Sequence, residues 1–196
     1  MENKGPSTLF LVTINDEFPK IIKEGEGDDK LPHKDIFATI AYLSSRNLSN
    51  IHYINFPLIF KENKKTSNSL IRKIRDDRRK DLFHKIMLRM IEEHDYYLFY
   101  IPLWNENLQS SIQIAKEVKK RYPSSKNIFF GPCCSLFPDQ IICEKSIDFV
   151  ITAEPEEAIE GIITKKNMPE IPNICYQNEN GIVLNDEKGF ADDDRI

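Results

Sequence analysis

Three glutamates lie close together in the stretch "TAEPEEAI", at Glu154, Glu156 and Glu157. Paired carboxylates do general acid–base chemistry when a fold holds them at one substrate atom. Acidic residues in the first turn of a helix instead stabilise that helix, because negative charge favours the positive end of its dipole. Pro155 suits the first helical position, so the sequence favours the structural interpretation of these glutamates.

The cysteines and histidines do not follow a metal-site pattern. The four cysteines, Cys133, Cys134, Cys143 and Cys175, do not match the C-x2-C pairs of zinc sites. We interpret them as reduced structural thiols, buried or half buried. His33 lies in a long loop, where it is either a ligand contact or a bystander. No catalytic serine–histidine or cysteine–histidine set can be assigned without assuming that distant residues meet.

The candidate residues above lie on or between strands and helices that alternate along the chain. Short apolar runs predict strands, and apolar residues at helical spacing predict helices. The predicted strands are residues 8–14, 51–57, 96–102, 127–132 and 148–154, and the predicted helices are residues 34–47, 61–94, 107–123, 139–145 and 155–163. Parallel strands need crossover connections, so this alternation predicts an α/β fold whose parallel sheet is covered on both faces.

Ligands of open α/β sheets bind outside the carboxyl ends of the strands, where connections part to opposite faces. The candidate loops are therefore residues 15–33, 102–107, 131–138 and 152–157. Gly131 has no Cβ atom, so it either lets a ligand approach the backbone or makes a sharp turn. Trp104 either stacks on a flat ligand or shields the sheet edge.

The pattern changes after residue 165. Residues 174–184 predict a β-hairpin in which Asn180 and Gly181 supply the positive φ values of a tight turn. We therefore divide the chain into an α/β domain at 1–165, a hairpin extension at 166–190 and a polar tail or linker at 191–196.

Composition excludes several classes of protein. The 196 residues suit one main domain, and 40% hydrophobic with 30% charged residues is typical of a soluble globular protein. A net charge of -4 gives no general attraction to nucleic acid. No apolar run approaches the ~20 residues that span a bilayer, and the N-terminus turns polar too soon for a secretory signal. We expect a cytoplasmic protein with no nucleic-acid or membrane partner.

Residues 96–185 resemble the cobalamin-binding domain that precedes the catalytic core of B12-dependent radical SAM enzymes. The matching stretches follow the family's order: "YYLFYIP", "AKEVKKRYP", "NIFFGP", "LFPDQII", "IDFVITAEPEEAI" and the hairpin "IPNICYQNENGIVLND". "LPHKDIFATIAYLSSRNL" resembles a further family segment, which extends the likeness over nearly the whole chain. The resemblance implies a flavodoxin-like, Rossmann-type fold with a five-stranded parallel sheet in the order 2-1-3-4-5 and a small C-terminal hairpin.

The resemblance also implies cobalamin as the cofactor. Its implied binding positions follow the third, fourth and fifth strands: Pro102, Leu103, Trp104, Gly131, Pro132, Cys133, Ala153, Glu154, Pro155 and Glu156. The chain has no D-x-H-x-x-G, the pattern that supplies a lower axial histidine in other cobalamin domains, so we expect cobalamin without a protein histidine ligand. Three prolines depart from the family: Pro102 replaces a serine, Pro132 replaces a glycine, and Pro155 stands in "AEPE" where the family has "GEGE".

Two functions from different classes follow. In the first, the chain is a cobalamin-binding module that is not an enzyme by itself and acts with a radical SAM domain or subunit. It has no C-x3-C-x2-C run, so we expect no iron-sulfur cluster in this chain. In the second, which the three prolines favour, the domain has lost cobalamin and is an interaction or scaffold subunit. An enzyme with another ligand is a third possibility, for which no catalytic residue can be named.

Overall fold

The computed structural model describes residues 7–12, 34–55, 91–102 and 105–187. Its strands are β1 (Ser7–Val12), β2 (Asn50–Asn55), β3 (Tyr96–Tyr100), β4 (Lys126–Phe130), β5 (Phe149–Ile151), β6 (Ile174–Asn178) and β7 (Gly181–Leu184). Its helices are α1 (Lys34–Ser45), α2 (Asn105–Arg121), α3 (Pro132–Leu136), α4 (Pro138–Ile142) and α5 (Pro155–Ile163), with a short 3-10 turn at Met168–Glu170. The predicted long loop at 15–33 and the tail at 191–196 lie outside the described residues.

The strands form one mixed sheet in the order β2-β1-β3-β4-β5-β6-β7. Strands β1 to β5 run parallel to one another, whereas β6 is antiparallel to both β5 and β7. The α/β class with a parallel first part agrees with the prediction. The sheet has seven strands instead of five because the C-terminal hairpin pairs with β5, through Val150 opposite Cys175 and Ile151 opposite Ile174. The hairpin is therefore one edge of the main sheet.

The central strands bury side chains on both faces, which explains why "YYLFY" and "NIFF" are apolar at nearly every position. Alternate residues of β3 and β4 point to opposite faces. We call the layer that contains Tyr97, Phe99 and Phe129 the first core. The layer that contains Leu98 and Phe130 is the second core.

The helices that follow β4 and β5 pack on different cores. Cys134 of α3 and Ile141 of α4 belong to the first core. Ala158 and Ile159 of α5 belong to the second core, together with Ile36 of α1. The connections after β4 and β5 therefore leave the sheet in opposite directions, which opens a crevice between the two strand ends.

Two predicted elements need correction, and most of the helix predicted at 61–94 lies outside the described residues. Its described end, residues 91–94, has no regular structure. The single helix predicted at 139–145 is preceded by a second one, because Pro132 and Pro138 each begin a short helix at its first position. In the hairpin, pairing of Asn178 with Gly181 leaves residues 179–180 as the loop. Among residues 178–181 of this turn, only Gly181 has a positive φ, of +120°.

None of the helices in the described part of the chain is long and apolar enough to cross a membrane.

Candidate functional site

A cleft of about 440 Å³ opens at the carboxyl ends of β3, β4 and β5. It is lined by Tyr100, Phe130, Gly131, Pro132, Ser135, Leu136, Ala153, Glu154 and Pro155. This position follows from the topology, because the connections after β4 and β5 part to opposite faces there. Its volume lies within the range of about 300–1,000 Å³ that is common for small-molecule sites.

Half of the residues predicted to bind the cofactor line this cleft. They are Gly131, Pro132, Ala153, Glu154 and Pro155. The loop after β4 and the loop after β5 therefore lie side by side at one end of the sheet, as the sequence predicted.

The other predicted residues lie elsewhere or are not described. Cys133 is only 6% exposed and packs into the first core, because the first turn of α3 directs it away from the cleft. The Glu156 carboxylate accepts a hydrogen bond of 3.3 Å from the Thr39 hydroxyl of α1. Pro102 is half buried and does not line the cleft. Leu103 and Trp104 lie outside the described residues.

Two aromatic residues that the sequence did not single out line the cleft. Tyr100 and Phe130 end β3 and β4 and lie opposite each other in the sheet. Their rings meet edge to face, with centroids 5.4 Å apart, and they are 2% and 1% exposed. Apolar rings at the carboxyl ends of neighbouring strands give the cleft a rigid, apolar base.

Gly131 makes the turn from β4 into α3. Its φ is +108°, which side chains of L-residues rarely adopt. A Cβ atom at this position would lie 2.7 Å from the carbonyl oxygen of Ile101 and 2.9 Å from Cε2 of Tyr100. The Ile101 carbonyl is itself held, since it accepts the Cys133 N–H at 3.3 Å. The fold therefore needs glycine here whether or not a ligand binds.

The opposite wall of the cleft is formed by the start of α5. Pro155 is the first helical residue, as the sequence predicted, and Glu154 precedes it as the N-cap instead of lying in the first turn. Asn173 holds this loop against β6: its side-chain amide donates to the Glu154 carbonyl at 3.2 Å, and its carbonyl accepts the Thr152 N–H at 2.9 Å. Hydrogen bonds of Asn173 thus hold the two residues that flank this turn, Thr152 and Glu154.

Helix α5 is fixed to α1 along its length. The Tyr42 hydroxyl donates to the Glu160 carboxylate at 2.5 Å, and Arg46 pairs with the same carboxylate at 3.6 Å. Burial and this hydrogen bond raise the pKa of Tyr42 to about 12. Together with the contact between Thr39 and Glu156, these interactions hold the first turn of α5 in place beside the cleft.

The lining of the cleft is more apolar than polar, and it contains no cation among the described residues. Its polar side chains are Tyr100, Ser135 and Glu154. Such a lining can enclose a flat apolar group and accept hydrogen bonds, but it offers no lysine, arginine or histidine to a phosphate. Across the described ranges no group of three or more histidine, cysteine or acidic residues could hold a metal ion.

The cysteines have the character of structural thiols. Cys133, Cys134 and Cys175 are buried, and burial raises the pKa of each, to about 11 for Cys175. A raised pKa disfavours the thiolate, the form that attacks substrates and binds metals. Cys143 differs from the prediction because it is exposed, where its thiol donates to the Asp139 carbonyl at 3.1 Å.

The comparison with known proteins gives a likeness of fold. No protein-family model matches the chain, and no curated protein matches it. Among solved structures, the radical S-adenosylmethionine methyltransferase TsrM from Kitasatospora setae, with cobalamin and a [4Fe-4S] cluster bound, matches 94% of this chain with a TM-score of 0.61 and 11% identity. The cobalamin-dependent S-adenosylmethionine radical enzyme OxsB, with aqua-cobalamin and S-adenosylmethionine bound, matches 94% with a TM-score of 0.62 and 16% identity.

The present chain is much shorter than these proteins. It spans 29% of the TsrM chain and 22% of the OxsB chain. At such low identities the likeness concerns the fold alone. The chain therefore has a fold similar to part of these two radical S-adenosylmethionine enzymes, and the cleft lies at the carboxyl ends of the parallel strands in that fold.

Proposed function

We propose that the chain is a cobalamin-binding module, not catalytic by itself, in which the cleft between β4 and β5 receives the nucleotide tail of the cofactor. The observation that carries this proposal is the cleft itself: a site of about 440 Å³, more apolar than polar, at the crevice where this class of fold binds ligands. The sequence resemblance to cobalamin-binding domains and the similar folds of TsrM and OxsB support it.

The cleft suits part of the cofactor. In this proposal a flat heterocycle of the tail lies between the loops that begin at Pro132 and Pro155, above the buried rings of Tyr100 and Phe130. The site is too small for the whole cofactor, so the corrin would lie outside its mouth. When bound, the corrin cobalt supplies methyl-transfer chemistry, while the chain supplies binding and orientation.

The histidines in the described residues favour binding without a protein histidine ligand. His94 precedes β3 and therefore lies at the amino ends of the parallel strands. The ring of His52 lies 4.9 Å from that of His94, at the same end. The cleft is at the carboxyl ends, so neither imidazole is placed beside it. His33 and His84 lie outside the described residues.

We further propose that a radical SAM domain or subunit is the partner, in the cytoplasm. TsrM and OxsB are radical SAM enzymes whose chains extend far beyond the part that this chain matches. Beside the cleft, Leu136 and Phe137 are 60% and 49% exposed, which gives an apolar surface for a partner to cover.

The alternative is a domain that keeps this fold without cobalamin and acts as an interaction or scaffold subunit. Its support is that Pro132 and Pro155 occupy the two loops that flank the cleft, where the resembling family has glycines. Each proline fixes φ and removes one backbone N–H that a ligand could use.

Titration of the chain with hydroxocobalamin distinguishes the two functions. Ala153 lines the cleft, so Ala153→Leu should fill it and weaken binding by at least about tenfold, which corresponds to about 1.4 kcal/mol. Ala38→Leu adds the same side chain to an exposed position of α1 and should leave the affinity unchanged. Circular dichroism of both variants checks the fold. Equal affinities of the two variants, or no binding by the wild-type chain, would contradict the proposal.

A further inference from the structure

The C-terminal hairpin ends the sheet with an open strand. Among the strands that the structure describes, β7 has a neighbour on one side only. An edge strand can pair with a strand of another chain, and proteins commonly prevent this with proline, lysine or a bulge in the strand. The sequence of β7, "GIVL", contains no proline and no charged residue. The strand itself therefore carries none of these protective side chains.

The backbone of β7 has hydrogen-bonding groups on its outer side. The Asn185 N–H donates to the Ile174 carbonyl at 2.9 Å, and hydrogen-bonded and non-hydrogen-bonded pairs alternate along two antiparallel strands. Val183 therefore exchanges hydrogen bonds with β6, whereas Ile182 and Leu184 stand in non-hydrogen-bonded pairs. The N–H and C=O groups of Ile182 and Leu184 thus point away from β6, toward the open edge.

The side chains of the same two residues form an exposed apolar strip. Val183 packs against the second core, so Ile182 and Leu184, one residue to either side, point to the opposite face of the sheet. They are 42% and 52% exposed. Side chains of neighbouring strands pair on the same face. Apolar side chains at alternate positions of an added strand would therefore cover Ile182 and Leu184.

The charges at both ends of β7 indicate which strand fits. Residues 179–187 contain Glu179, Asp186 and Glu187, all exposed, and no basic residue. Antiparallel pairing of two copies about Val183 would place Glu179 opposite Glu187 of the second copy. Like charges directly opposite each other destabilise a strand pair, whereas opposite charges stabilise it. The charges therefore disfavour a second copy and favour a strand with basic ends.

We propose that β7 binds an extended segment of a partner protein in which apolar and polar residues alternate between basic residues at both ends. In such strand addition the main-chain hydrogen bonds give affinity, and the side chains give specificity. The segment would extend the sheet to an eighth strand. The inference is independent of the proposed function, because β6 separates β7 from β5 and the cleft lies at the ends of β3, β4 and β5.

Titration of the whole 15N-labelled chain with a short peptide tests the inference by NMR. The peptide alternates valine and threonine between two lysines at each end, and the control peptide has glutamates in place of the lysines. On binding, the amides of Ile182 and Leu184 should become protected from hydrogen exchange, whereas the amide of Val183 is already paired in the free chain. The control peptide should bind at least about fivefold more weakly, and added salt should reduce this difference.

Two variants at one position separate the backbone from the side chain. Ile182→Pro removes an outward N–H but no hydrogen bond to β6, and it should weaken binding about tenfold. Ile182→Thr keeps that N–H and the branched shape but reduces the apolar surface, so it should weaken binding only about twofold to fivefold. NMR spectra of both variants check that the hairpin is folded, and the amide protection in the wild-type chain requires no variant.

No binding of the lysine peptide, equal affinity for the two peptides, or protection that leaves out Ile182 and Leu184 would overturn the inference. Dimerisation of the wild-type chain that Ile182→Pro abolishes would also overturn it, since the edge would then take a second copy. Hydroxocobalamin, titrated in parallel, should bind Ile182→Pro and the wild-type chain equally. Failure of cobalamin to bind either chain would contradict only the proposed function, whereas failure of the peptide would contradict only the role of β7.

Discussion

Substitution of Gly131 by alanine should destabilise the fold even in the absence of a ligand. The backbone φ of +108° costs an L-residue about 1–3 kcal/mol. The new Cβ atom would also lie 2.7 Å from the Ile101 carbonyl oxygen, and relief of such an overpacked contact costs about 1–3 kcal/mol more. We therefore expect Gly131→Ala to lower the free energy of unfolding by about 2–6 kcal/mol.

Gly181 provides the matched control. Its φ of +120° is similar, but a Cβ atom there would meet nothing within 4 Å. Gly181→Ala should therefore show the backbone cost alone, about 1–3 kcal/mol. Urea unfolding followed by circular dichroism measures both variants, and the difference between them gives the cost of the contact at position 131. If Gly131→Ala is no more destabilising than Gly181→Ala, the contact with Ile101 does not constrain the turn. Because we expect the larger loss, Ala153 is a better position than Gly131 for blocking the cleft.

Three further predictions concern the core, the hairpin and pH. Leu98→Ala and Phe129→Ala, both at fully buried positions, should each cost about 2–5 kcal/mol in urea unfolding, and a cost below 1 kcal/mol would argue against their place in the core. Asn178→Ala should lower the melting temperature more than Asn180→Ala. The Asn178 side chain accepts a hydrogen bond of 2.8 Å from the Asn180 N–H, whereas Asn180 does not have the positive φ that would favour asparagine over alanine. A larger effect of Asn180→Ala would contradict this turn. Burial and the neighbouring His52 lower the pKa of His94 in the folded state. The unfolded chain therefore binds a proton at His94 more readily than the folded chain does, and the folded state loses stability as the pH drops from 6.5 toward the lower folded pKa. His94→Phe should therefore reduce the acid-dependent loss of stability, and an unchanged pH profile would refute this role.

The sequence predicted the elements whose signals are local. Pro155 marked the start of α5 because proline is tolerated at the first helical position, and the structure has that helix start there. The run at 96–102 was predicted as a strand because it is almost continuously apolar or aromatic, and its first five residues form β3, all of them buried. The sequence also predicted that the loops after β4 and β5 are neighbours, because the carboxyl ends of parallel strands share one edge of the sheet.

Features that depend on tertiary contacts were missed. Tyr100 and Phe130 have the same residue types as their buried neighbours, so the sequence alone does not show that they line a cleft. Cys133 was predicted to bind the cofactor because it follows Gly131 and Pro132. Helix α3 has only five residues, too few for a helical pattern to show that Cys133 packs into the first core instead. The hairpin was predicted from its turn, but its pairing with β5 arises from contacts such as Val150 with Cys175, which no local pattern indicates.

Gel filtration with hydroxocobalamin tests the central claim, that the cleft between β4 and β5 binds cobalamin without a protein histidine. The chain and the cofactor are mixed at micromolar concentrations, and the absorbance spectrum of the protein fraction is recorded. We predict that cobalamin elutes with the chain, that its spectrum shows neither imidazole nor benzimidazole below the cobalt, and that Pro132→Gly binds more tightly because it restores the family's second glycine. Failure of cobalamin to elute with the wild-type chain and with Pro132→Gly would contradict the claim and favour the scaffold subunit.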